Sequence, residues 1–179
     1  MRTFGVEEEF LIVDPSNGSP LPLAADLLRL QDPGEPADLS THPMLAVELH
    51  QEQIEVITHP HSTLSGLSAE ILSGRALADS LARKAGARIA ALATSPLAVT
   101  PHSTSNARYD ALLEKFAVTA REQLTCGCHV HVSVDSDEEG VAILDRVRSW
   151  LPPLLAVTST SPFWDGPYSG YARRRPQAR

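Results

Sequence analysis

The sequence opens with a strand-like segment, Thr3-Phe4-Gly5-Val6-Glu7-Glu8-Glu9-Phe10-Leu11-Ile12-Val13, in which side chains alternate between two faces. One face carries Phe4, Val6, Phe10 and Ile12, and the other carries Glu7, Glu9, Leu11 and Val13. Glu8 points to the apolar face. Because Glu7 and Glu9 are like charges on one face, they repel each other and favour a bound cation. The alternative is a solvated edge strand.

The remaining patterns predict further strands and helices around this segment. Strands are predicted over 45–58, with 53–58 as the clearest part, over 89–94 and over 128–134. A first helix is predicted over 64–85 and ends at Gly86. A second helix is predicted to begin after a cap at Asn106. A third helix is predicted over 137–150, with Asp135 and Glu138 as a capping box at its start and Pro152-Pro153 at its end. This order predicts an α+β or mixed α/β fold with one sheet and helices on one face.

Composition excludes several classes of function. The 179 residues contain 15 Lys and Arg against 22 Asp and Glu, and the net charge of −7 argues against a nucleic-acid partner. Small anionic substrates stay possible, because a divalent metal inverts the local sign of an acidic site. No signal core precedes Glu7, and no apolar run approaches the roughly 18 residues of a membrane span, so we expect a cytoplasmic protein without a membrane partner. Cys126 and Cys128 are the only cysteines, which excludes a disulfide framework and favours a reducing compartment.

A second acidic group surrounds the predicted strand at 53–58. Glu48 and Glu52 precede the strand, and Glu55 lies within it between Ile54 and Val56. An unpaired charge at such a position is costly, so Glu55 is expected to have a partner, either a cation or an arginine. Glu52 is expected to be a solvated neighbour.

The segment 126–134 carries both cysteines and two histidines. Its alternation places His129, His131 and Ser133 on one face and Val130, Val132 and Val134 on the other, which we expect to be the core side. Histidines two residues apart on a strand can bind zinc, but Cys-x-Cys-His-x-His is not a standard structural zinc spacing. Buried, inert cysteines are the favoured interpretation.

Several carboxylates and a histidine on one sheet face suit a hard cation such as Mg²⁺ or Mn²⁺. Such ions commonly bridge protein carboxylates and nucleotide phosphates. The chain has neither a Walker-type phosphate loop nor a dinucleotide-binding glycine pattern. Any nucleotide is therefore expected to be held through metal and arginine.

Four motifs in order resemble one known family. They are Gly5-Val6-Glu7-Glu8-Glu9-Phe10, Gln53-Ile54-Glu55, Cys126-Gly127-Cys128-His129-Val130-His131-Val132, and Ser161-Pro162-Phe163-Trp164-Asp165-Gly166 followed by Gly170-Tyr171. Together they resemble the carboxylate-amine ligases of the type 2 glutamate–cysteine ligase family, relatives of glutamine synthetase, from the N-terminus to about Tyr171. The resemblance implies a glutamine synthetase-like α+β fold, with a curved, mainly antiparallel sheet that is incomplete here.

The resemblance also implies an activity and a set of site residues. The activity is ATP-dependent amide formation through an acyl phosphate, with Mg²⁺ or Mn²⁺ as the metal, ATP as co-substrate, and glutamate and cysteine as the default amino acids. The metal ligands implied are Glu7, Glu9, Glu48, Glu55 and His129. Glu55 and Arg173 are the implied catalytic residues, and His131 and Arg173 are implied to bind nucleotide or another anionic ligand.

Members of this family are longer than this chain, and their later strands supply further ligands. We therefore expect residues 1–172 to be the N-terminal part of a single ligase domain and residues 173–179 to be a disordered basic tail. One alternative is a catalytically incomplete remnant, which would expose an apolar surface and self-associate, so a homo-oligomer is one expected state. Another alternative is a metal-dependent hydrolase with Zn²⁺ held by His129, His131 and Glu55.

Overall fold

The computed structural model describes residues 1–31, 43–122, 124–164 and 166–171. The strands are β1 (Phe4–Val13), β2 (Met44–Val47), β3 (Gln53–Ile57), β4 (Arg88–Ala90) and β5 (Cys128–Val132). The helices are α1 (Ala24–Leu30), α2 (Leu64–Lys84), α3 (Ala107–Glu122), α4 (Asp137–Val147) and α5 (Leu151–Thr158), with a 3₁₀ turn (Arg148–Trp150) before α5. The predicted tail at 173–179, including Arg173, lies outside the described residues.

Strand β1 is the centre of a five-stranded sheet in which every pairing is antiparallel. The order is β2-β3-β1-β4, and β5 also pairs with β1. Since β3 occupies one edge of β1 over residues 7–11, β4 and β5 share the other edge, at residues 11–13 and 4–8. The α+β class and the antiparallel sheet are therefore confirmed.

The main core lies between this sheet and helix α2. Phe10, Ile12, Ile54 and Val56 are buried on the helix face of the sheet, together with Leu27 of α1 and Ala78 and Leu81 of α2. The helix approaches the sheet closely at Gly74, where an added Cβ would lie 2.5 Å from Val56 Cγ1. Periodicity therefore predicted correctly which side of β1 is apolar.

Glu8 lies on this apolar side, as predicted, and is held there by an arginine. Arg75 of α2 donates from Nε to Glu8 Oε2 at 2.8 Å and from Nη2 to Glu8 Oε1 at 2.5 Å. This two-pronged geometry satisfies both carboxylate oxygens at the edge of the core. The opposite face of the sheet is left to Glu7 and Glu9.

The valines of β5 lie on the predicted side of the sheet, since Val130 is opposite Val6 and Val132 is opposite Phe4, but they are not buried. Val130 is 66% exposed, and Val132 and Val134 are also exposed. Alternation predicts correctly that the valines share the face on which α2 packs, but it does not indicate how far a helix covers that face, and no helix of the described ranges buries these valines. Further exposed apolar side chains follow in α4, the 3₁₀ turn and α5: Val141, Leu144, Trp150, Leu151, Leu154, Leu155 and Val157.

Several predicted boundaries also differ from the structure. The strand predicted at 89–94 is limited to β4, and helix α1 was not predicted. The cap of α4 is Ser136, whose hydroxyl accepts from the Glu139 backbone N–H, one residue later than the predicted capping box. Pro152-Pro153 lie in the first turn of α5, where a missing N–H breaks no helical hydrogen bond, and therefore do not end a helix.

Candidate metal centre

Strand register brings the acidic motifs onto one face of the sheet. Glu9 is directly opposite Glu55 in the β1–β3 pair, and Glu7 is directly opposite His129 in the β1–β5 pair. Opposite residues in an antiparallel pair project to the same side. Glu7, Glu9, Glu55 and His129 therefore share the face that does not contact α2.

Two groups of potential ligands form on this face, and Glu55 belongs to both. Within each group, one ligand atom per residue can be chosen so that all of them lie within 4.8 Å of one another. The first group is Glu7, Glu55 and His129, and the second is Glu9, Glu48 and Glu55. We call these the histidine group and the carboxylate group.

The electrostatics of the site correspond to a cluster of mutually repelling carboxylates. Burial, followed by the charges of Glu48, Glu7 and Glu9, raises the pKa of Glu55 to about 7. Burial also raises the pKa of Glu9, despite a backbone hydrogen bond from Gly127 that lowers it. No arginine or lysine of the described ranges forms an ion pair with any of these four carboxylates. The arginine partner considered for Glu55 is therefore not found there.

The two histidines of β5 contact the carboxylate of Glu7. His129 Nδ1 and His131 Nε2 each lie 3.3 Å from Glu7 Oε2. Their rings meet edge to face, with centroids 6.4 Å apart. His131 reaches the cluster through Glu7, and it belongs to neither group of potential ligands.

Backbone and tyrosine contacts hold the carboxylate group in place. Glu48 follows β2 directly, and its Oε2 accepts from the Leu49 backbone N–H at 2.6 Å. Tyr109 of α3 is buried and donates its hydroxyl to the Val47 carbonyl at 3.1 Å. Burial and the nearby charge of Glu48 raise the pKa of Tyr109. Tyr109 lies in the helix predicted after Asn106, but no functional role was predicted for it, so its place beside the site was missed.

Position 127 is closely packed against the site. An added Cβ would lie 3.1 Å from His129 Nε2 and 3.4 Å from Glu9 Oε1. The Gly127 backbone N–H donates to Glu9 Oε2 at 2.9 Å. Gly127 belongs to the motif at 126–132, but the sequence alone indicated no role for it.

The cysteines take no part in either ligand group among the described residues. Cys126 is buried beside Leu11 and Leu124, and burial raises its pKa to about 12. Cys128 lies opposite Glu8 on the helix face of the sheet. The predicted burial is therefore confirmed for Cys126, whereas Cys128 is exposed.

Glu52 was expected to be solvated, and this is wrong. It is 1% exposed, because the loop around His102 covers it. His102 donates its backbone N–H to both carboxylate oxygens at 3.1–3.2 Å, and its Nδ1 lies 2.6 Å from Oε1. Glu52 thus anchors a loop and lies outside both ligand groups.

The donor chemistry suits a hard divalent cation. Three carboxylates, as in the carboxylate group, are typical ligands of Mg²⁺ and Mn²⁺, and the imidazole of the histidine group is a better ligand for Mn²⁺ than for Mg²⁺. The structure brings together Glu7, Glu9, Glu48, Glu55 and His129, the five residues predicted as metal ligands. Fold and site together define an α+β protein with a candidate divalent-cation centre on one face of an antiparallel sheet.

Comparison with known families agrees with this class. Residues 3–178 match glutamate-cysteine ligase family 2 (GCS2), and the chain belongs to this family. It is 53% identical over 178 residues to "Putative glutamate--cysteine ligase 2-1" of Paenarthrobacter aurescens, which covers 99% of this chain and 46% of that protein. It is 47% identical over 175 residues to a protein of the same printed name from Streptomyces avermitilis, which covers 98% of this chain and 47% of that protein. The chain thus spans about half the length of these relatives. Among the helices that the structure describes, none has the length and apolar character needed to cross a membrane.

Proposed function

We propose that this chain carries the cation-binding half of an ATP-dependent carboxylate–amine ligase, with glutamate and cysteine as its substrates. The observation that supports this most strongly is the pair of ligand groups that share Glu55. Such an arrangement can hold two divalent cations close together, which is suited to an ATP-dependent reaction because cations neutralise charge on a transferring phosphoryl group. The family membership supports the same class of activity.

The proposed reaction has two chemical steps. A carboxylate oxygen of glutamate attacks the γ-phosphorus of ATP, the bond to the bridging oxygen breaks, and ADP leaves. The lone pair of the cysteine amine then attacks the acyl carbon, phosphate leaves, and the amine loses a proton as the amide forms. Mg²⁺ or Mn²⁺ would supply charge neutralisation at the phosphoryl group.

The residues have separate roles in this proposal. Glu7, Glu9, Glu48, Glu55 and His129 hold the cations, and their carboxylates are suited to this because no described basic side chain neutralises them. His131 orients Glu7 through its 3.3 Å contact and borders the nucleotide phosphates. Arg173 is proposed to contact an anionic substrate on the strength of the family resemblance alone.

The test is ADP release by the purified chain with Mg²⁺, ATP and glutamate, with and without cysteine. We expect cysteine-dependent ADP release that is lost in Glu55→Gln and retained in Glu114→Gln, which removes an exposed glutamate of α3. ADP release that ignores cysteine, or that survives in Glu55→Gln, would contradict the proposal. A zinc hydrolase is less well supported, because the structure groups His129 and Glu55 with Glu7 rather than with His131.

A second candidate is a chain that is inactive alone. The exposed valine face of β5 and the exposed apolar side chains of α4 and α5 match what that alternative predicts. Large exposed apolar patches commonly mark interaction surfaces or lead to self-association. A homo-oligomer is the proposed state in solution, and light scattering coupled to size exclusion measures it. A folded, monodisperse sample without ADP release would favour this candidate.

A further inference from the structure

Gln53 is a buried polar residue at the start of β3 to which the proposed function gives no role. It is only 3% exposed and lies directly opposite Leu11 of β1. Since Gln53 is two residues from Glu55, both side chains project from the same face of the sheet. Its amide is therefore next to the carboxylate group rather than in the main core.

The side-chain amide of Gln53 connects three parts of the site. Nε2 donates to the Thr125 carbonyl at 2.8 Å and lies 3.4 Å from Glu9 Oε2 and 3.5 Å from Cys126 Sγ. The bond to Thr125 has the geometry of a strong hydrogen bond, whereas the bond to Glu9 is long. Gln53 thus holds the segment 125–127 against the sheet more firmly than it holds Glu9 itself.

The segment that Gln53 holds is the one that orients Glu9. The Gly127 backbone N–H donates to Glu9 Oε2 at 2.9 Å, and the Glu9 backbone N–H donates to the Gly127 carbonyl at 3.0 Å. The same oxygen of Glu9 thus receives the Gly127 N–H and lies next to the Gln53 amide. Without these donors, repulsion from Glu48 and Glu55 would favour rotation of the Glu9 carboxylate away from the cluster.

We propose that Gln53 is a positioning residue that orients Glu9 toward the cation of the carboxylate group. It acts directly, through its contact with Glu9 Oε2, and indirectly, by placing the Gly127 N–H. The proposal rests on the proposed function in one respect, namely that the carboxylate group binds a cation. Outer hydrogen-bond partners of metal ligands commonly change metal affinity by 10–100-fold when they are removed.

The first test compares Mn²⁺ binding by the full chain and two matched variants. Gln53→Met keeps the length of the side chain and removes both amide donors. Gln51→Met makes the same change two residues away, where Gln51 Nε2 donates to the Ser103 carbonyl at 3.1 Å, outside both ligand groups. Electron paramagnetic resonance of free Mn²⁺ gives the number of bound ions and their affinities. We expect Gln53→Met to weaken one bound Mn²⁺ by about 10-fold or more and Gln51→Met to leave both unchanged.

A third variant distinguishes positioning from general destabilisation. If Gln53 acts through Glu9, then Gln53→Met added to Glu9→Gln should weaken Mn²⁺ binding no further. A purely structural role would lower the melting temperature and weaken both ions together in either background. Equal weakening of both ions would therefore overturn the proposal.

A second measurement uses the unmutated chain, so that it does not depend on the folding of a variant. In ¹H–¹⁵N spectra, titration with Mg²⁺ should shift the Gln53 side-chain amide and the Gly127 backbone amide with one common affinity. Unmoved Gln53 signals, together with wild-type Mn²⁺ affinities in Gln53→Met, would refute the role of Gln53 alone. Absence of any Mn²⁺ or Mg²⁺ binding by the wild-type chain would instead refute the cation site, and the role of Gln53 with it.

Discussion

Replacing Glu55 with glutamine is expected to stabilise the cation-free protein at alkaline pH. Glu55 carries a pKa of about 7 in the folded chain, because burial and the charges of Glu48, Glu7 and Glu9 oppose its ionisation. An acid whose pKa is raised on folding favours the folded state at low pH, and this contribution is lost as pH rises through the folded pKa. Above pH 7 the wild-type chain therefore retains the repulsion, and glutamine removes it.

The size of the effect follows from the two pKa values of Glu55. A rise from the ordinary 4.5 to about 7 corresponds to at most about 3.4 kcal/mol. Because the carboxyl is only partly buried, solvent screening reduces this to about 1–2 kcal/mol. For a chain of this size, such a gain raises the melting temperature by about 3–6 °C.

The assay is thermal and urea unfolding of wild type and Glu55→Gln in EDTA, at pH 5 and pH 8.5. We expect near-equal stability at pH 5 and a more stable variant at pH 8.5. Adding Mn²⁺ at pH 8.5 should reverse the order, because the cation binds the chain that retains its shared ligand more tightly and therefore stabilises it more. A variant that is equally or less stable than wild type in EDTA at pH 8.5 would refute the reasoning.

Three further predictions concern other parts of the chain. Gly74→Ala should destabilise the folded chain by about 1–3 kcal/mol in urea unfolding, because the added Cβ would lie 2.5 Å from a side-chain atom of the sheet. Gly140→Ala, where the nearest atom is 4.0 Å away, should be neutral or stabilising, and equal effects of the two substitutions would contradict this prediction. Iodoacetamide at pH 8 should modify Cys128 well before Cys126 by intact mass, because Cys126 is buried with a pKa of about 12, and equal rates would contradict that burial. Burial alone would raise the pKa of Glu70, but hydrogen bonds with two histidines lower it. Glu70→Gln should therefore destabilise the folded chain at pH 7, and the difference in stability between variant and wild type should shrink below pH 4. A stability difference that does not depend on pH would refute this reasoning.

The acidic face of the sheet could be predicted because it depends on short-range periodicity. Alternation alone places Glu7 and Glu9 on one side of a strand and Glu8 on the other, and the apolar run around Glu55 identifies a second strand. Once the two strands pair, Glu9 and Glu55 become neighbours by register. The pairing itself and the place of Glu48 just after β2 are not contained in these patterns, and the full set of five ligands was predicted from the family resemblance.

The support around the site could not be predicted, because it depends on contacts between distant segments. Gln53 contacts Thr125 across 72 positions of sequence, and Gly127 contacts Glu9 across 118. Glu52 has the composition of a surface residue and is nevertheless covered by the loop around His102. A polar residue signals such contacts only after the tertiary structure shows that it is buried.

The most direct test of the account is the number of Mn²⁺ ions bound by the metal-free chain at pH 8, with and without Glu55→Gln. Since Glu55 belongs to both ligand groups, the account predicts two bound ions in the wild-type chain and weakened binding of both in the variant. Titration of free Mn²⁺ by electron paramagnetic resonance measures both quantities. No bound Mn²⁺, or a variant that binds Mn²⁺ as tightly as the wild-type chain, would contradict a cation centre built around Glu55.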